Sequence, residues 1–208
     1  MPRQLIIALG REFGSGGHEI ARTLAERFGI PLYDKNMLEL IAEMQGLDPD
    51  RLDRYDEMPK RHLVTRTVSG YSNAPQEVIA EMQFQFLRER AAACESFVVL
   101  GRCAEEVLKD YPGLISIFVL ADQEFKKQRT MERAPISEWE ALALMAQQDR
   151  QRQTYHNQFC SGKWGDARNW DLTINSARLG IPATVDLLEQ YIRFRMETLN
   201  IPLRSESV

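Results

Sequence analysis

A short apolar run at residues 4–9 (QLIIAL) leads into a turn rich in glycine, Gly14-Ser15-Gly16-Gly17, and then into an amphipathic stretch. No other feature limits the fold as strongly. A strand that passes into a helix through glycines leaves a row of backbone N–H groups at the helix start, at the positive end of the helix dipole. Such a row is an anion cradle. Gly14, Gly16 and Gly17 allow positive φ and a close approach of backbone to ligand. The helix is expected from about residue 17 to residue 28, with Ile20, Ala21, Leu24 and Phe28 on one stripe and Gly29 as its stop. The alternative is a plain glycine-rich connection that binds nothing.

Four further segments read as strands: residues 30–34 (IPLYD), 97–101 (FVVLG), 114–121 (LISIFVLA) and 170–175 (WDLTIN). Pro31 weakens the first of these, because proline cannot donate to a ladder. The others are rich in β-branched and aromatic residues. Strands that are apolar throughout, alternating with helical stretches, imply a parallel sheet covered by helices on both faces. The fold class expected is therefore α/β with a five-stranded parallel sheet in three layers. Two segments fall outside this rhythm. Residues 35–95 read as helical and charged, with a turn-rich middle at 69–75. Residues 134–169 contain a helix from about 137 to 156, then a loop (FCSGKWGDARNW). Both leave the sheet at strand carboxyl ends, where open α/β sheets bind ligands, so they suit flaps that exclude water. The expected organisation is one domain. Its core is about 1–34, 96–133 and 170–208, with inserted flaps at about 35–95 and about 134–169. The tail 204–208 is expected to fray.

Composition removes several classes. With 208 residues the chain can bury a full core unaided. Its formal net charge of −4 lacks the basic excess of a generic nucleic-acid binder. No apolar run approaches the roughly 18 residues of a membrane span, and residues 1–10 lack the form of a secretory signal. The 3 cysteines, Cys94, Cys103 and Cys160, are odd in number and show no CxxC spacing, so neither a disulfide framework nor a zinc site is indicated. The reading is a cytoplasmic protein with no membrane and no nucleic-acid partner.

Aligned on the phosphate-binding pattern G-x-x-x-x-G-K-[ST], Gly16 takes the second glycine. Arg11 then stands at the first glycine, Gly17 at the lysine and His18 at the hydroxyl residue. The lysine that neutralises transferring charge and the hydroxyl that ligates Mg²⁺ are both missing. Arg11 and His18 are the nearest stand-in cations; the alternative for each is a solvated charge beside a turn.

The run REFGSGGHEIARTLAERFGIPLYDKNML resembles the N-terminus of the cytidylate kinase-like family, relatives of bacterial cytidylate kinase among the P-loop nucleoside monophosphate kinases. VVLGRCAEEVL (residues 98–108) and KWGDARNWDLTINSARLG (163–180) extend the similarity over nearly the whole chain. His18 stands where the family is expected to carry Arg. The resemblance implies a P-loop fold and transfer of the ATP γ-phosphoryl group to a nucleoside monophosphate such as CMP, with Mg²⁺ accompanying ATP. Arg11 and the turn Gly14, Ser15, Gly16, Gly17 and His18 would hold the ATP phosphates. Arg102 matches the Arg of a G-R-D motif that contacts the acceptor nucleotide, although Cys103 replaces the Asp. Arg150 and Arg152 fall in an Arg-rich lid stretch with Asp149. Arg129 and Arg133, four apart on one helix face, would add to the phosphate clamp.

Other residues carry open readings. Asp34 at the end of the second strand suits acceptor binding or a water on Mg²⁺, and equally an N-cap for the helix that follows. Lys35 reads as solvated. Lys163 could supply a cation and Trp164 could stack on a base, or the ring could pack under its loop. Asp171 and Asn175 favour structural hydrogen bonds, and Cys103 a small buried residue. His62 and His156 stand without ligand-like partners in the sequence. The Met and Phe positions of residues 77–87 read as core or as subunit contact, the latter implying a homodimer. Two further functional readings remain: a nucleotide-binding module with weak or no catalysis, and a kinase for a non-nucleotide small molecule.

Overall fold

The computed structural model describes residues 4–46, 48, 67–68, 71–72 and 75–202. Its central strand is β1 (Ile6–Arg11), flanked by β5 (Phe97–Leu100) and β6 (Leu114–Leu120). β2 (Leu32–Tyr33) and β7 (Leu172–Asn175) form the two edges, so the order is β2-β5-β1-β6-β7 with every pairing parallel. All five strands match sequence expectation in place. β1 runs two residues past Leu9 because Gly10 and Arg11 continue the ladder opposite Phe118 and Val119. β2 is short: its ladder begins only after Pro31, whose carbonyl accepts from the Val98 amide.

β1 is apolar from Ile6 to Leu9 because both of its faces are covered there. Leu5, Ile7 and Leu9 point to one core, shared with Ile20 and Leu24 of α1 (Gly17–Phe28) and with Leu188 and Ile192 of α7 (Gly180–Thr198). Ile6 and Ala8 point the other way, toward Met37 and Ile41 of α2 (Asn36–Gln45) and Phe86 and Leu87 of α3 (Pro75–Ala92). Side chains alternate across a strand, so the two sets separate cleanly into two cores. Full burial of each Leu, Ile or Phe contributes about 1.5–3 kcal/mol before entropy is counted. The Met and Phe stripe of residues 77–87 goes into the core, with Ile79, Phe84, Phe86 and Leu87 all buried.

The inserted segments are more structured than their composition suggests. A two-stranded hairpin, β3 (Thr67–Val68) with β4 (Tyr71–Ser72), occupies part of the stretch expected to be turn. His62 and residues 204–208 lie outside the described residues. A short helix, α4 (Ala104–Val107), follows β5, and α5 (Gln123–Arg133) follows β6. α6 (Glu138–Phe159) opens with a capping box, in which Ser137 Oγ accepts from the Glu140 amide and the Glu140 carboxylate accepts from the Ser137 amide. It continues three residues beyond His156. α6 is tied to the segments that follow β1 and β5, Asp149 to Phe13 and His156 to Glu105 of α4. Among the described residues no helix is long and apolar enough to cross a membrane.

Candidate active site

The turn between β1 and α1 is held open by its own geometry. Gly16 caps α1 in the left-handed region at φ 82°, and the Ile20 amide donates to its carbonyl at 3.0 Å. A Cβ at Gly17 would lie 2.6 Å from Cβ of Arg11, so only glycine lets helix and strand end approach this closely. Buried Ser15 donates to the Glu12 carbonyl at 2.8 Å, and Ser176, past β7, donates to the Ser15 carbonyl at 2.6 Å. Among the described residues none accepts a hydrogen bond from the amides of Gly14, Gly16, Gly17 or His18. Unpartnered N–H groups grouped at the start of a 12-residue helix suit an anion.

Cations gather around this turn from α5. Arg129 Nη2 lies 2.8 Å from Glu19 and 3.7 Å from where a Cβ of Gly16 would stand. Arg133 reaches the same carboxylate at 3.9 Å. Lys126, which sequence reasoning passed over, packs its backbone against Gly14 and extends Nζ to Glu12 at 2.8 Å and Asp149 at 3.7 Å. The available signal was its place one helical turn before Arg129 and Thr130. His18 is exposed and pairs with Asp34 at 2.8 Å. The second Asp34 oxygen accepts from the Asn36 amide at 3.1 Å, but the N-cap of α2 is Lys35 and not Asp34. Burial pushes the Asp34 carboxyl up, but the Asn36 amide, His18 and Arg102 together hold it below the ordinary carboxylate value.

A second cluster forms at the end of β5. Gly101, Arg102 and Cys103 are successive left-handed residues, at φ 78°, 57° and 53°. For Arg102 and Cys103 this costs of order 1–3 kcal/mol each. Strain of this kind marks a backbone held in place by its surroundings. Arg102 is 2% exposed and donates to the Leu100 carbonyl at 3.0 Å. Arg11, Arg102 and Arg152 line one pocket together with Tyr155, Trp164 and Trp170. Arg152 lies over the Phe13 ring at 5.7 Å. Three arginines thus line one pocket at the carboxyl ends of β1 and β5, together with Glu105 and His156. Arg150, expected in the same clamp, is exposed on α6 and does not line this pocket. Cys103 is buried.

Asp149 brings α6 onto the turn. Its Oδ1 accepts from the Phe13 amide at 2.6 Å, and burial pushes its carboxyl above the ordinary value despite that bond and nearby Lys126. A carboxylate thus occupies one edge of the anion cradle, on the element that carries Arg152.

The remaining sequence candidates resolve as follows. Trp164 packs edge-on against Phe118 at 5.4 Å while still facing the pocket, and Lys163 is exposed. Asp171 accepts from the Ser116 amide and hydroxyl, and Asn175 donates to Asp122 at 2.8 Å; both are structural contacts. The reading of His156 as isolated is corrected. It is buried, with Nε2 2.6 Å from Glu105 Oε1, and Cys160 also meets that carboxylate. Glu105 lies about 50 positions away in the chain, which is why no sequence spacing exposed the pair.

A parallel five-stranded sheet, a glycine turn at its central strand and helices over both faces define a P-loop kinase fold. Shikimate kinase from Bacteroides thetaiotaomicron shares it at TM-score 0.54 and 13% identity, over 91% of this chain and 98% of that one. Shikimate kinase from Acinetobacter baumannii in complex with shikimate does so at TM-score 0.50 and 16% identity, over 93% and 95%. An uncharacterized protein from Eubacterium ventriosum is much nearer, at 39% identity and TM-score 0.72 over 91% of this chain and 99% of its own. No curated protein matches the chain. The cytidylate kinase-like family model matches residues 6–178, and the chain belongs to that family.

Proposed function

We propose that the chain transfers the γ-phosphoryl group of ATP to a nucleoside monophosphate, with CMP the first acceptor to test. The observation that carries this reading is that Arg11, Arg102 and Arg152 line one pocket at the carboxyl end of β1, the strand that leads into the open amides of Gly14–His18. The amides would hold the donor phosphates. Arg102, fixed by strained backbone at the end of β5, would hold the acceptor phosphate as a bidentate fork. Arg152 and Asp149 would arrive and leave with α6, so the Arg contact is strongest when the lid is shut.

In the transfer an acceptor phosphate oxygen forms a bond to the γ-phosphorus as the bond to the bridging oxygen breaks, and ADP leaves. The acceptor is already an anion, so positioning and charge neutralisation carry the catalysis and no strong base is needed. With glycine at position 17, Lys126 and Arg129 are the cations placed to stand in for the missing lysine. Position 18 offers no hydroxyl to Mg²⁺. The nearby carboxylates Glu12 and Asp34 supply oxygen donors of the right hardness, but Lys126 holds the first and His18 the second. Mg²⁺ would therefore arrive on the ATP phosphates, and its chemistry is to neutralise their charge. Three free cysteines suit a reducing compartment such as the cytoplasm.

ADP release measured with a panel of nucleoside monophosphates tests the reading. Turnover with one or more of them is expected. ATP binding without turnover on any monophosphate would overturn it. That outcome would favour a nucleotide-binding module, a second reading supported by the engagement of both stand-in cations with Glu12 and Glu19.

A further inference from the structure

Glu105 and His156 line the pocket of Arg102 and Arg152 but take no part in the phosphate contacts proposed above; with Cys160, each bears a metal-ligating atom, and these atoms all fall within 4.8 Å of one another. We propose that they bind a single divalent cation of the zinc type, joining the end of α6 to the first turn of α4.

The donor set selects the ion class. A thiolate, an imidazole and a carboxylate together are borderline-soft, which suits Zn²⁺ and not Mg²⁺ or Ca²⁺, whose ligands are oxygens. His156 and Cys160 are four positions apart across the end of α6, a spacing that puts both on one face. Glu105 approaches from α4, with 7% of its side chain exposed against 6% for His156. The sulfur–oxygen distance is close to that of a bound state, and the nitrogen–oxygen distance is that of a hydrogen bond which the ion would replace. Tetrahedral zinc with ordinary bond lengths separates a nitrogen and an oxygen ligand by about 3.3 Å, and a sulfur and an oxygen by about 3.5 Å. Cys160 Sγ to Glu105 Oε1 is 3.8 Å, and His156 Nε2 to the same oxygen is 2.6 Å. A small rotation of the carboxylate admits the ion.

The surroundings support the ligands. His156 Nδ1 faces Asn157 Oδ1 at 3.4 Å, and that oxygen also accepts from the Trp164 amide at 2.8 Å, which orients the ring with Nε2 toward the cluster. Buried Cys103 packs in the same cluster as Tyr155 and Cys160. Cys103 directly follows Arg102. A cation here would fix the acceptor-side arginine to the helix that carries Arg152.

The test uses the full chain, stripped with chelator and titrated with Co²⁺ and then Zn²⁺. One Co²⁺ per chain, with a thiolate-to-cobalt charge-transfer band that Zn²⁺ displaces, is expected. Cys160→Ser should abolish the band, Glu105→Gln and His156→Gln should weaken binding by at least about tenfold, and Cys94→Ser should change nothing. In parallel, mass spectrometry of the unsubstituted chain follows alkylation. Zn²⁺ should protect Cys160 and leave exposed Cys94 reactive, a readout that holds even if a variant fails to fold. No stoichiometric metal, a band that survives Cys160→Ser, or equal alkylation of Cys160 with and without Zn²⁺ would overturn the site.

Discussion

Replacement of Gly16 by alanine tests the geometry of the phosphate turn at its tightest point. Gly16 sits at φ 82°, and its added Cβ would meet Ile181 Cδ1 at 2.1 Å and Cγ1 at 3.1 Å. A left-handed alanine costs about 1–2 kcal/mol. Displacing Ile181, which is buried at the start of α7, adds about 1–3 kcal/mol of overpacking. The total of roughly 2–5 kcal/mol should lower the melting temperature by roughly 4–20 °C in a chain of this size. Ile181→Val removes the clashing methyl at a cost of about 0.5–1.5 kcal/mol by itself. The double variant should therefore be more stable than the sum of its parts, by about 1–3 kcal/mol of coupling. Thermal melts of the four proteins measure that coupling directly. Strict additivity, or a Gly16→Ala protein that melts like the parent, would refute a left-handed residue packed on Ile181. ATP affinity gives a second readout. Misplacing one charge-assisted amide contact costs about 1.5–3 kcal/mol, or roughly tenfold to a hundredfold in Kd.

Other consequences follow from the same geometry. Arg152→Ala should lower kcat/KM by about 10²–10³, while Arg150→Ala, an exposed change on the same helix, should leave turnover within about twofold of the parent; equal losses would contradict the placement of the clamp. Glu19→Gln should free Arg129 and tighten ATP binding in calorimetry, whereas Arg129→Ala should weaken it, with both effects shrinking at high salt; an unchanged Kd for both excludes Arg129 as a stand-in cation. Burial raises the Asp149 carboxyl, so the folded state favours its protonated form, and stability should fall as pH rises from the ordinary carboxylate value through the raised one. Melting curves of the parent minus Asp149→Asn, from about pH 4 to about pH 7, should show that decline; a difference that grows with pH would reverse the sign of the argument.

The sheet was legible because its signals are local. β1, β5 and β6 are near-continuous apolar runs, and a run buried on both faces cannot be disguised by polar alternation. α1 could be bounded from sequence because Gly17 and Gly29 punctuate it. The hairpin at Thr67–Ser72 was not legible: with two residues per strand, each is too short to show a period of two. The site was legible in part. The glycine turn and Arg102 sit at strand ends, where position alone suggests chemistry. Lys126 and Asp149 reach the candidate site, and Glu105 reaches His156, from helices whose faces are set by tertiary packing, and surface-type residues on helices carry no mark of which face turns inward. Arg150 and Arg152 show the limit most plainly. They are two positions apart in the sequence, yet the helix turns one into the pocket and the other toward solvent.

The amides of Gly14, Gly16, Gly17 and His18 are expected to grip a polyphosphate without the usual lysine. Backbone amide NMR of isotope-labelled protein, titrated with a non-hydrolysable ATP analogue and Mg²⁺, addresses it residue by residue. Saturable shifts concentrated on those four amides and on Phe13, as Asp149 gives way, are the predicted result. A titration that leaves the four amides unmoved while other residues shift, or that moves nothing, would contradict it.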